Sequence, residues 1–287
     1  MSWVNYHSHT LYCDGKAAPE DFIRSAVEKG FSAYGFSSHS PVPFASAWNM
    51  VAANLPEYLN RLTQLKTAFK GTIEIYVGLE IDYIEGVCGY RASGLDRHAL
   101  DYFIGSVHYV GQLPDGSHFC FDGHPEAFFS QVDLLFHHDF RKVITTYYQS
   151  VMRMVEVDQP DIVGHLDKIK MHHSFRPYLN ETDNWYVALV EETLEVIRQK
   201  GCMIEVNTRG LYKHNPPLLY PGFWILKRIF EKGIPVMINS DAHHPDEVGL
   251  GFDHAAALLH DIGFKTLRVL LDGCWQERAF NGNGVIL

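Results

Sequence analysis

The 287-residue chain has no run of about eighteen apolar residues, so no segment reads as a transmembrane helix. Its start lacks a basic stretch followed by an apolar one, and it does not read as a secretory signal. Cysteine is sparse. Cys13, Cys88, Cys120, Cys202 and Cys274 are scattered, odd in number and without a C-x-x-C pair, which excludes a disulfide framework or a zinc ribbon and fits reduced thiols in the cytoplasm. Positive charge is also short, at 24 Lys and Arg against 34 Asp and Glu. That balance argues against a general nucleic-acid or anionic-membrane partner, although bound cations can still bring an anionic substrate to a local site. Neither a Walker A sequence nor a G-x-S-x-G elbow occurs.

Histidine is plentiful, with 17 copies. Their positions follow a recurring local pattern of an amphipathic stretch, a glycine, and a short apolar run. Helices are expected over Pro19–Lys29, Leu55–Lys70, Tyr186–Lys200 and Pro221–Lys232, each followed by glycine and then by an apolar strand. A fifth unit is expected through Ala255–Ile262 and Leu267–Leu270. Further strands are expected at Tyr102–Val107 and Asp161–Gly164. Repeated units of this kind argue for a parallel sheet flanked by helices, open or closed into a barrel, in one domain spanning residues 1–287. Residues 82–101 and 111–125 break the pattern and are expected to be loops that shape the pocket.

The apolar runs end in metal-binding residue types. His7 and His9 share a strand face, and His39, Glu80, His108, His165, Asp241 and His243 each sit where a strand gives way to a loop. Strand carboxyl ends share one face of an α/β barrel. With Asp14, nine side chains then converge: six imidazoles and three carboxylates. One four-coordinate ion would leave most of them unpaired, whereas three divalent ions sharing a bridging carboxylate would engage them all. Nitrogen and oxygen ligands without thiolate suit zinc, manganese or iron(II).

The ordered series His7-x-His9-Thr10, Ser38-His39, Gly78-Leu79-Glu80, Ser106-Val107-His108, Gly164-His165-x-Asp167, Glu205-Val206-Asn207 and Ser240-Asp241-Ala242-His243 resembles the polymerase-and-histidinol-phosphatase (PHP) superfamily. Leu100–His108 and Asn207-Thr208-x-Gly210-Leu211 resemble its histidinol-phosphatase branch most closely. The resemblance implies a distorted TIM-like (β/α)7 barrel and a trinuclear centre. It also implies hydrolysis of L-histidinol phosphate to histidinol and phosphate, in histidine biosynthesis, by a metal-bridging hydroxide. Carried over by residue, His7, His9, Glu80 and Asp241 would hold one ion; Glu80 would bridge to a second with His108 and His165; Asp14, His39 and His243 would hold a third. His7, His9, Glu80, Asp241 and His243 are then the expected catalytic set.

A phosphate also needs cationic partners, for which Arg209, Lys213, Lys168 and Lys170 are the candidates. At the Arg209 position the family pattern often has a small residue instead. Histidinol carries an ammonium and an imidazole, so carboxylates at the mouth are expected, with Asp82, Glu85, Asp101 and Asp122 as candidates and Asp101 placed in the substrate set. Tyr83, Phe121 and Tyr212 are candidate walls for the imidazole. The expected partner is a small-molecule phosphomonoester, and the expected assembly a monomer or small homo-oligomer. Rival readings are a PHP phosphoesterase acting on phosphotyrosine proteins or nucleotides, and a metal-binding domain without activity. A metal-dependent amidohydrolase would call for a bridging lysine that the chain does not offer.

Overall fold

A computed structural model describes residues 1–287. Strands β1 (Trp3–Asn5), β2 (Phe31–Phe36), β3 (Glu74–Asp82) and β4 (Tyr102–Ser106) are followed by a hairpin of β5 (Tyr109–Gln112) and β6 (His118–Cys120). β7 (Ile162–Val163), β8 (Met203–Asn207) and β9 (Val236–Asn239) resume the series, and β10 (Thr266–Leu271), β11 (Cys274–Asn281) and β12 (Gly284–Val285) end it. The first four and β7 to β9 form one parallel seven-stranded sheet in the order β1-β2-β3-β4-β7-β8-β9. It curls into a nearly closed α/β barrel ringed by helices, the TIM-like architecture expected from the sequence. No helix is long and apolar enough to cross a membrane.

The expected helices form, and two more, Pro125–Phe136 and Phe140–Val157, form where the sequence pattern marks none. Pro19–Glu28 opens on proline with Glu20 and Asp21 in its first turn and buries Phe22, Ile23 and Ala26 against the sheet. Leu55–Ala68 and Asn184–Lys200 bury Leu62 with Leu65, and Val190 with Leu194, in the same manner. The expected fifth unit is a correction. The helix Phe252–Ile262 forms, but β10 leaves the barrel and pairs antiparallel with β11. Asp272-Gly273 is the two-residue turn between them, with both residues at positive φ, the conformation that such a tight hairpin demands.

The barrel's last seam is unlike its other joints. β1 and β9 do not pair as strands. Instead Asn239 Oδ1 accepts from Tyr6 N at 2.9 Å, and Asn5 Oδ1 accepts from Ser240 N at 2.8 Å. Backbone pairing resumes only at the upper rim, where His9 N donates to the Ala242 carbonyl at 2.8 Å. Below the site, Tyr102 fills the barrel interior. It is fully buried against Gly35 and Gly78, and its hydroxyl donates to the carbonyls of Tyr6 and Phe36. A Cβ on Gly78 would lie 2.5 Å from that ring, so the glycine is what admits the tyrosine.

Candidate metal centre

The nine side chains at the strand ends meet at the carboxyl-terminal face of the sheet. Glu80, at 1 % exposure, stands at their middle. Its Oε2 lies 3.2 Å from His7 Nε2, 3.4 Å from His9 Nε2 and 3.0 Å from His39 Nδ1. Its Oε1 lies 2.9 Å from His165 Nε2 and 3.7 Å from His108 Nε2. Asp241 Oδ1 closes the first group, 3.1 Å from His9 Nε2 and 3.7 Å from His7 Nε2. A further group joins His9, Asp14, His39 and His243, with Asp14 Oδ2 3.1 Å from His243 Nε2. His39 also falls in a group with Glu80 and His108, so it stands between two clusters. Asp241 takes φ 51°, a left-handed conformation that aspartate tolerates better than most residues and that turns the chain sharply at the site.

A layer of partners fixes the rings. His7 Nδ1 bonds Glu205 at 2.8 Å and His108 Nδ1 bonds Asp82 at 2.7 Å, which orients both rings with Nε2 facing inward and, in the neutral ring, reserves Nε2 as the donor to a cation. Glu205 is itself held by His165 N, Asn207 Nδ2 and Asn239 Nδ2. Asn49 Nδ2 donates to the second oxygen of Asp82 at 2.8 Å. Asp82→Asn should therefore lower activity or metal affinity by roughly 10- to 100-fold, because an amide cannot accept from both His108 and Asn49. Metal titration against a chelator with kcat in parallel checks this; wild-type affinity in the variant would rule out the orienting role.

These residues fit divalent cations. His7 Nε2, His9 Nε2, Asp14 Oδ1 and His39 Nδ1 are buried yet make no hydrogen bond, a costly state unless a further partner binds them. Burial pushes the Glu80 and Asp241 carboxyls up, but the surrounding histidines outweigh it and hold both well below the usual carboxylate range. Burial would lower His7 and His9, yet Glu205, Asp241 and Glu80 around His7, and Asp241 with Cys13 beside His9, raise both, His9 to about 10. The field at the convergence point thus favours positive charge. Cys13 lies beside His9 Nδ1 at 3.6 Å, on the turn that links the first two groups.

A cavity of about 400 Å³ opens above the cluster, lined by Trp48, Asp122, Lys168, Arg209, Lys213 and His214 among others. Arg209 Nη1 donates to the Asp241 carbonyl at 2.8 Å and lies 3.5 Å from Glu247. Lys213 pairs with Glu247, and Lys168 with Asp122 at 2.7 Å. Two expected substrate residues are elsewhere. Lys170 is buried in a pair with Asp167 at 2.6 Å, away from this cavity. Asp101 precedes β4 and so lies at the opposite end of the barrel, where it bonds Val77 N and Lys66. Of the aromatic candidates, Tyr212 donates to the Ser240 carbonyl beneath the rim and Phe121 is fully buried, so neither lines the cavity. Sequence reading passed over Trp48, which stands perpendicular to His39 and His108 and stacks on Tyr109. Nothing in its neighbourhood's periodicity marks it, since it rides on an irregular loop.

The PHP domain model matches residues 5–209, well over half of the sequence. The chain belongs to the PHP family. Within that family it is 30 % identical to the probable histidinol-phosphatase of Deinococcus radiodurans over 264 residues, covering 91 % of this chain and 94 % of that protein. It is 27 % identical to the histidinol-phosphatase of Bacillus subtilis over 266 residues, 86 % and 96 % of the two chains. Among solved folds it resembles the histidinol phosphate phosphatase of Lactococcus lactis complexed with zinc, L-histidinol and phosphate. The TM-score is 0.67 at 21 % identity, over 100 % of this chain and 99 % of that one. The PHP membership and the convergent donor set together make this a site for divalent metal ions.

Proposed function

We propose that this PHP chain is a metal-dependent phosphomonoesterase that hydrolyses L-histidinol phosphate to L-histidinol and phosphate. The observation that carries the reading is the buried convergence of unpartnered imidazole and carboxylate atoms on Glu80, beneath a cavity rimmed by Arg209, Lys213 and Lys168. The near full-length likeness to histidinol-phosphatases supports the substrate. Three ions are proposed, of zinc, manganese or iron(II). His7, His9, Glu80 and Asp241 would hold one, Glu80 with His108 and His165 a second, and Asp14, His39 and His243 a third. When bound, such ions supply Lewis acidity toward the phosphoryl oxygens and make water nucleophilic near neutral pH.

The chain's own groups do the rest. Arg209 keeps its guanidinium anchored through Nη1 and offers its remaining donors to the outer oxygens of the phosphate. Lys168 and Lys213, each tethered by a carboxylate, add positive charge at the rim without swinging freely. Glu205 and Asp82 keep His7 and His108 in the tautomer that binds cations. Trp48 covers His39 and His108 from the solvent side and excludes water there. No nucleophilic serine or cysteine is required. The protein would work in the cytoplasm as a monomer or small homo-oligomer.

A substrate panel on protein loaded with manganese, zinc or iron tests this. Phosphate release from L-histidinol phosphate should exceed that from p-nitrophenyl phosphate and phosphotyrosine by at least about 100-fold in kcat/KM. Equal rates across the panel would sink the specific substrate while leaving the phosphomonoesterase in place.

A further inference from the structure

A second hollow of about 680 Å³ adjoins the metal cavity and shares Asp122, Met171, Lys213 and His214 with it. Beyond those four it is lined by His124, His172, Ser174 and Phe175 among others, and Asp122 is its one acid. In the metal cavity the other acids are Asp14, Glu80 and Asp241, all committed to the metal cluster. Asp122 is therefore the single carboxylate on the boundary between the two chambers that the metal centre does not claim. The other acids considered for this role are taken: Asp82 is buried on His108, Glu85 is exposed beside Arg153, and Asp101 lies at the far end of the barrel.

Asp122 is built into place. It follows β6 on a turn where Phe121 N donates to the His108 carbonyl at 3.1 Å and His172 Nε2 bonds the Phe121 carbonyl at 2.9 Å. Its side chain is about a quarter exposed, to the cavity. Lys168 Nζ, at 2.7 Å, and His108 Nε2, at 4.0 Å, both approach Oδ2, leaving Oδ1 toward the open space. Burial raises its pKa, but the Lys168 ammonium at 2.7 Å outweighs that and holds the carboxyl below its usual value.

The position suits one feature of the substrate. In L-histidinol phosphate the ammonium is borne by the carbon next to the ester methylene, so its acceptor must stand close to the phosphoryl group. A carboxylate 4.0 Å from a proposed metal ligand meets that requirement, and the second hollow continues outward where the imidazole would extend. We propose that Asp122 takes the substrate's ammonium group on its free Oδ1 and so selects phosphomonoesters that carry a cationic amine beside the ester carbon. This rests on the phosphomonoesterase reading and names what sets its specificity.

The test compares L-histidinol phosphate with its des-amino analogue, the imidazolylpropyl phosphate, on metal-loaded wild type and on Asp122→Asn. A charge-assisted contact of this kind should give wild type a preference of about 10- to 100-fold for the aminated ester, chiefly in KM. In Asp122→Asn the preference should shrink to within about threefold, because an amide oxygen holds ammonium weakly. A preference kept in full by the variant would overturn the proposal, since Asp122 would then act only through Lys168. Wild type that hydrolyses both esters equally would overturn it too, and this arm needs no folded variant. Failure to hydrolyse either ester, with other phosphomonoesters turned over normally, would remove the proposed substrate instead.

Discussion

Glu80→Gln should lower kcat on the best substrate by at least about 10³-fold and reduce the bound metal. The size follows from position. Glu80 Oε2 faces His7, His9 and His39, while Oε1 faces His165 and His108, so both oxygens serve converging imidazoles. Glutamine fills the same space, but its amide turns one of those faces from acceptor to donor and removes a negative charge between cations. Kinetics with elemental analysis of the same preparation check the result. A variant with full metal content and more than about a tenth of wild-type kcat would show that the carboxylate bridges nothing.

Tyr102→Ala should cost about 4 kcal/mol of stability, enough to lower the melting temperature by roughly 10 °C. The ring is wholly buried between Gly35 and Gly78, whose missing side chains make its space, so truncation leaves a cavity that those strands cannot close. It also strands the Tyr6 and Phe36 carbonyls that the hydroxyl serves. Tyr102→Phe separates the two losses, because it keeps the packing and forfeits only the hydrogen bonds. Denaturant unfolding of the metal-loaded protein is the measurement, and a loss under about 1 kcal/mol for Tyr102→Ala would mean the barrel floor repacks.

The barrel and the residues beneath its mouth were legible because strand periodicity and direction are local properties. An apolar run followed by histidine or aspartate puts that residue at the carboxyl end of a strand, and parallel strands bring those ends together. Asp101 was misjudged against the same rule. It precedes Tyr102, so it belongs at the amino end of β4, where it lies. Lys170 had a visible partner three residues back in Asp167. Asp272-Gly273 is a hairpin signal, and reading it would have taken β10 out of the barrel series. Trp48 was not legible, and Asp122 was legible only as one of four candidate acids at the mouth. Each sits on an irregular segment whose path depends on tertiary contacts, such as Asn49 on Asp82 and Phe121 on His108.

The seam closed by Asn5 and Asn239 has a consequence for how the molecule is made. Its two sides are drawn from opposite ends of the sequence, Tyr6 and Asn239 being 233 positions apart. During synthesis His7 and His9 emerge early, while Asp241 and His243 emerge last, and domains take shape from the amino terminus onward as the chain grows. A nascent chain that has passed β8 can align six strands, yet the donor cluster around Glu80 still lacks Asp241 and His243. Completion of the donor cluster is therefore a late event of assembly. The two asparagines, which bond backbone groups across the gap, hold the first and last strands in register for that step.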